Sequence, residues 1–173
     1  LHKQIWWYQN RHDLQHSYGT TPIYCVPEGL EGPKTWCPWI LNVRGVYFSY
    51  EDYGLGSAGY IYALGNPFVF WAGIISVSYL MGKYFDLRKK INSEGAGILF
   101  VLLGYFVFWV PWIFSPRIMF LYHYLPAIPF MAIALGYTLA DIYKTKFKYL
   151  SFIIVGSFLA GFLYFYPISA GFP

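Results

Sequence analysis

The feature that most constrains this chain is where its charges are not. Four stretches of roughly 20 residues are almost free of charge, and that is the length an α-helix needs to cross about 30 Å of hydrocarbon. They run from about Pro67 to Tyr84, Gly95 to Phe114, Ile118 to Ala140 and Tyr149 to about Tyr166. Backbone polar groups in lipid must be satisfied within a segment or in a closed barrel, and the two-residue alternation of barrel strands is missing. The reading is therefore four transmembrane helices. Composition agrees: of 173 residues, 57% are hydrophobic and 12% charged, about half the charge of an ordinary soluble domain. This balance excludes a water-soluble globule, a disordered chain and a disulfide-dense secreted scaffold.

The charges that remain indicate orientation. Seven of the 12 Lys and Arg lie in two connections, Lys83, Arg88, Lys89 and Lys90 in one and Lys144, Lys146 and Lys148 in the other. The excess of Lys and Arg marks these connections as cytoplasmic, not as a nucleic-acid patch, and no nucleic-acid partner is expected. The connection between the second and third spans carries Arg117 alone and belongs outside, with the uncharged C-terminal tail. Trp109, Trp112, Tyr164 and Tyr166 then fall at outer span ends, as an interfacial belt requires.

Residues 1–66 read as an extracytoplasmic cap and residues 67–173 as a four-helix membrane domain. Trp6, Trp7 and Tyr8, mixed with Arg11, His12, Asp13 and His16, suit an amphipathic helix lying on the membrane surface. Aromatic runs around a Gly-rich turn predict a β-hairpin over Val46 to Leu64. Asn66 and Pro67 predict a helix start, with Asn as cap and Pro at the first helical position. The sequence begins at Leu1, without Met or a signal-peptide pattern, and reads as a piece of a longer chain.

Several groups of residues invite a chemical reading. Cys25 and Cys37 lie in the outer segment among Pro and Gly turns, where an oxidising compartment lets them pair. Two free thiols, or a metal site completed by His12 and His16, are the alternatives. His16 and Tyr18 either face a reaction cavity or belong to a membrane anchor. In the third span Arg117 stands at the boundary and His123 about one and a half turns deeper, with Pro126 and Pro129 in the helix, each costly in lipid. On an α-helical wheel Tyr124 falls within about 20° of Arg117, and His123 on a flanking face. Either this is a polar functional site, or Arg117 snorkels to headgroups and His123 makes a structural hydrogen bond.

Three motifs, in order, resemble the C-terminal four-helix part of the protein O-mannosyltransferases, a family of GT-C membrane glycosyltransferases. The first is His16-Ser17-Tyr18, followed by Trp39, Ile40, Leu41 and Arg44. The second is YIYALGNPFVFW, with Gly65, Asn66, Pro67 and Trp71 in register. The third, PRIMFLYHYLPAIPF, matches in Arg117, Phe120, Tyr122, His123, Tyr124, Pro126 and Pro129. The sequence departs from the family in the cysteine-bearing insertion between Tyr18 and Trp39 and in Gly45, where Pro is usual.

The resemblance implies a multi-pass enzyme that moves mannose from a polyprenyl- or dolichyl-phosphate-mannose donor to Ser or Thr of an acceptor protein. The membrane would be the endoplasmic reticulum in a eukaryote and the plasma or inner membrane in a prokaryote. The family's catalytic carboxylates belong to the N-terminal half, so no catalytic residue is expected here and the isolated piece should be inactive without that half. Arg117, with its planar guanidinium, suits the lipid phosphate, and His123, Tyr124, His16, Tyr18 and Arg44 are the accompanying candidates. The donor carries one phosphate, so neither metal nor other cofactor is expected. The alternatives are a related GT-C transferase with a lipid or glycan acceptor, or a non-catalytic subunit or transporter. No repeat relates the two span pairs, which weighs against a transporter.

Overall fold

Prolines mark the start of the first span at Pro67 and shape the start of the third at Pro126 and Pro129. The computed structural model describes residues 3, 36–42, 46–54, 57–87, 93–114 and 121–171. The expected surface helix lies outside them apart from Lys3, as do His16, Tyr18, Cys25, Arg44 and Arg117. A short helix α1 (Trp36–Leu41) precedes an antiparallel hairpin of β1 (Val46–Gly54) and β2 (Ser57–Ala63). Four long helical stretches follow. They are α2 (Pro67–Leu87), α3 (Ser93–Trp109) continued by a 3₁₀ turn (Val110–Phe114), a 3₁₀ segment (Leu121–Ala127) leading into α4 (Ile128–Tyr143), and α5 (Lys148–Ala170). Four of these units are long and apolar enough to cross a membrane: Pro67–Leu87, Ser93–Trp112, Leu121–Tyr143 and Lys148–Ala170. The protein is an integral membrane protein of four helices with a hairpin before them.

The hairpin falls where the aromatic pattern predicts it, pairing Val46 with Ala63, Tyr50 with Tyr60 and Gly54 with Ser57. One extra residue between Tyr47 and Ser49 bulges β1. The Tyr50 and Tyr60 rings meet across the strands at 5.1 Å. Gly54 adopts φ 77°, and its N–H donates to Asp52 Oδ1 at 2.9 Å, which sets the turn.

The third span differs from the sequence reading in its first two turns. Leu121–Ala127 is a 3₁₀ helix, with Pro126 inside it and Pro129 in the first turn of α4. A proline ring inside an α-helix clashes with the carbonyl four residues back, and tightening the chain before a pair of prolines relieves that clash. The α-helical wheel therefore does not apply to Tyr124. In the tighter register the carbonyl that Pro126 deprives of a donor is that of His123, not of Tyr122. The fourth span is also longer than expected: α5 runs through Pro167 to Ala170, where Gly171 closes it at φ 72° and donates its N–H to Pro167 O.

The core lies among α2, α3 and α4. Tyr124, Leu80, Met131 and Ser76 are its largest fully buried side chains, joined by Phe70, Ile98, Leu102 and Tyr105. Close approach needs small residues: a Cβ on Gly73 would sit 2.6 Å from Met131, and one on Gly104 would collide with the Phe130 ring. At one end of the bundle Lys83 bridges three helices, with Nζ 2.7 Å from Asp141 and 3.1 Å from Glu94. Tyr79 donates to Asp141 at 3.0 Å and Tyr137 donates to Glu94. At the opposite end α5 reaches the hairpin, where Tyr53 Oη donates to Gly171 O at 3.3 Å.

Candidate functional site

The 3₁₀ segment displays two neighbouring motif residues in opposite ways. Tyr124 points into the core and is fully buried, its hydroxyl 2.7 Å from that of Tyr105 on α3 and 3.7 Å from Met131 Sδ. Phe70 and Tyr105 wall its ring, with centroids 6.1 and 6.2 Å away. His123 is half-buried and held by aromatic rings. Trp39 of α1 stacks on it at 6.1 Å with 8° between planes, Trp112 meets it edge-on at 4.6 Å, and Tyr122 lies 4.3 Å away. The imidazole plane is thereby fixed by two indoles from different elements. Trp112, which the sequence suggests for the interfacial belt, packs against this ring.

Trp39 reaches His123 because α1 is pinned over the start of α2. Asn42, directly after α1, takes φ 50° and is 4% exposed. Its Nδ2 donates to Gly65 O at 2.5 Å and its Oδ1 accepts from Gly65 N–H at 3.1 Å, so one side chain satisfies both polar groups of one peptide residue. Trp71 of α2 adds a third tie, Nε1 donating to Leu41 O at 2.8 Å. The Gly65-Asn66-Pro67 turn is thus held from both sides. Asn66 accepts from Phe68 N–H at 3.1 Å, capping α2, and donates to Phe158 O of α5 at 2.7 Å.

His123 and Tyr124 are therefore adjacent on one segment with different surroundings, and Asn66, Pro67, Pro126 and Pro129 shape the turns that present them. Cys37 falls in α1, but its side chain, like Cys25, lies outside the described residues. Asn42 and Tyr105 are absent from the sequence-based candidates. The signal for Asn42 was available: asparagine tolerates the left-handed conformation that follows many helices. Tyr105 carried none, being one aromatic among many. Among the described residues no group of three or more His, Cys, Asp or Glu is placed to hold a metal ion.

Residues 33–173 match the family described as the C-terminal four TMM region of protein-O-mannosyltransferase. The chain belongs to this family. Dolichyl-phosphate-mannose–protein mannosyltransferase 1 of Saccharomyces cerevisiae is 28% identical over 191 aligned positions, covering 99% of this chain and 21% of that protein. Protein O-mannosyl-transferase 2 of Danio rerio is 27% identical, covering 80% of this chain and 21% of that protein. A solved structure of the S. cerevisiae protein O-mannosyltransferase Pmt1–Pmt2 complex bound to the sugar donor superposes with a TM-score of 0.67 at 23% identity, over 99% of this chain and 24% of that one. That likeness is one of fold. The chain spans about a fifth of the length of these curated mannosyltransferases.

Proposed function

We propose that this chain is the C-terminal part of a membrane glycosyltransferase that moves mannose from a polyprenyl- or dolichyl-phosphate-mannose donor to Ser or Thr hydroxyls of a protein, on the outer side of the membrane. The observation that carries the reading is the family match over residues 33–173, together with His123 on the proline-shaped segment Leu121–Ala127, clamped between Trp39 and Trp112. The chemistry needs a base for the hydroxyl proton and a cationic partner for the departing phosphate. Arg117 is suited to the second task by its forked donors, and His123, Tyr124, His16, Tyr18 and Arg44 to supporting it. The base belongs to the N-terminal half, so the two halves act together. The membrane is that of the endoplasmic reticulum in a eukaryote and the inner membrane in a prokaryote. Cys25 and Cys37 pair in the oxidising outer compartment; non-reduced peptides carrying alkylated thiols at both positions would refute the pairing.

The test is transfer itself. Purified full-length protein is given prenyl-phosphate-mannose and a Ser/Thr peptide, with the 173-residue piece alone as the second arm. Mannosylated peptide from the first and none from the second is expected. Transfer only to a lipid or glycan acceptor overturns the protein substrate, and transfer by the piece alone overturns the placement of the base.

A further inference from the structure

A crevice of about 270 Å³ lies between α2, α4 and α5, walled by Phe68, Trp71, Ile75, Leu139, Ile154 and Phe158. Three hydroxyls also line it, and all three are turned away from a guest. Ser76 donates to Ala72 O at 2.8 Å, Thr138 to Ala134 O at 2.9 Å and Ser157 to Ile154 O at 2.7 Å, each within its own helix. The crevice therefore offers hydrocarbon contact and no donor aimed at an occupant. Its volume is at the small end for a ligand site, room for a length of one chain, and it is the apolar lining that disfavours a sugar. From Leu135 to Ile142 its α4 wall rises about 10 Å, most of the depth of one leaflet.

The inner end of the crevice decides what kind of chain fits. Ile142 lies two residues before Lys144, and the turn from there to the start of α5 presents Lys144, Lys146 and Lys148, all exposed. Lys144 lies 3.6 Å from Asp141, whereas among the described residues neither Lys146 nor Lys148 pairs with a carboxylate. Their ammonium groups lie over the Phe147 and Tyr149 rings, at 5.1 and 5.3 Å, which keeps them near the interface where headgroups sit. A basic turn at the foot of an apolar crevice is complementary to an amphiphile with an anionic head and a hydrocarbon tail.

We propose that this crevice holds an acyl chain of an anionic phospholipid whose headgroup is met by Lys144, Lys146 and Lys148. The crevice runs from Phe68 and Trp71 in the first turns of α2 down to Ile142 beside the basic turn, does not include His123 in its lining, and the proposal does not rest on the transfer reaction. Full-length protein in phosphatidylcholine nanodiscs would receive a minor fraction of diazirine-acyl phosphatidylglycerol or diazirine-acyl phosphatidylcholine, and cross-links would be mapped by mass spectrometry. Phosphatidylglycerol should label Ala72–Ser76 and Ile154–Phe158 about threefold or more over phosphatidylcholine, and a Lys144→Gln, Lys146→Gln, Lys148→Gln variant should abolish the excess. Ser157→Trp, which fills the crevice, should lower labelling of its walls. The lysine variant leaves the packed helix faces unchanged and keeps the test decisive if the tryptophan is not accommodated. Equal labelling by both headgroups overturns the proposal. So does labelling concentrated on Ile153, Leu159 and Leu163 of α5's exposed face, or displacement of the label by polyprenyl phosphate.

Discussion

A histidine clamped between two indoles has little rotational freedom, and the residues that build that clamp act on His123 through packing. Asn42 is one of them: it ties α1, and so Trp39, to Gly65 through both polar groups of its amide. Asn42→Ala leaves those two groups without that partner and forces a β-carbon residue other than Asn into the left-handed region. A loss of about 2 to 4 kcal/mol of stability is expected. Asn42→Asp keeps the acceptor for Gly65 N–H but sets a second carboxylate oxygen against Gly65 O at a buried position, so it should recover none of that loss; unfolding of the detergent-purified protein monitored by tryptophan fluorescence checks this. Arg117 is the residue proposed to meet the substrate itself. If it steadies the departing phosphate, Arg117→Ala in the full-length enzyme costs about 2 to 4 kcal/mol of transition-state stabilisation, roughly 30- to 1,000-fold in kcat/KM. Arg117→Lys keeps the charge without the fork and should recover part of it. A snorkelling arginine predicts far less, so an alanine variant within about threefold of wild type ends the phosphate role. Asn66 could be read from sequence as a cap, since Asn before Pro at a helix start has a local cause. Its second bond, to Phe158 of α5, could not, because it depends on how distant helices pack.

At the scale of elements, what the sequence made legible is what depends on local pattern. Charge-free runs gave the four spans to within a turn or so, and alternating aromatics around glycine gave the hairpin. The misses share a cause. Pro126 and Pro129 announce trouble in the third span but not its resolution, which is a 3₁₀ segment seated by Tyr124 against Tyr105. Pro167 suggests a stop, yet α5 continues because a single lost bond in its last turn is tolerated and Gly171 closes the end against the hairpin. Packing of α3 on α4 is the sharpest case of a constraint invisible to hydropathy. Gly104 is one of many small apolar residues in sequence, but any Cβ there meets the Phe130 ring. Phe130 is itself stacked on Phe108 at 5.8 Å and set edge-on to Phe100 at 6.0 Å, so it has little room to retreat. Gly104→Val should destabilise by about 1 to 3 kcal/mol, and Gly97→Ala, at a position open within 4 Å, should be nearly neutral. Thermal unfolding of the two variants side by side reads the difference.

The four-helix part has two unlike ends, and that asymmetry predicts how it sits in the bilayer. At one end aromatic rings enclose His123, and the hairpin meets the close of α5. At the other, Lys83 gathers Asp141 and Glu94 from two further helices, and six more of the 12 basic residues, Arg88, Lys89, Lys90, Lys144, Lys146 and Lys148, follow in sequence at or near the two connections. The connection between the second and third spans carries Arg117 alone. Such a contrast of Lys and Arg orients the basic connections toward the cytoplasm. The ion cluster fits a membrane boundary on either side, because the charges that tie α2, α3 and α4 together sit where the helices emerge and water can solvate what the pairs leave open. The expected topology therefore places residues 1–66 and the C-terminal tail outside, and both basic connections inside. With Cys25 and Cys37 replaced by serine, a cysteine at Lys89 should react with a membrane-impermeant maleimide only after the cells are permeabilised. A cysteine at Phe172 should react in intact cells. Labelling of Lys89→Cys from outside reverses the molecule, and with it the side of the membrane on which His123 and Arg117 can meet a lipid phosphate.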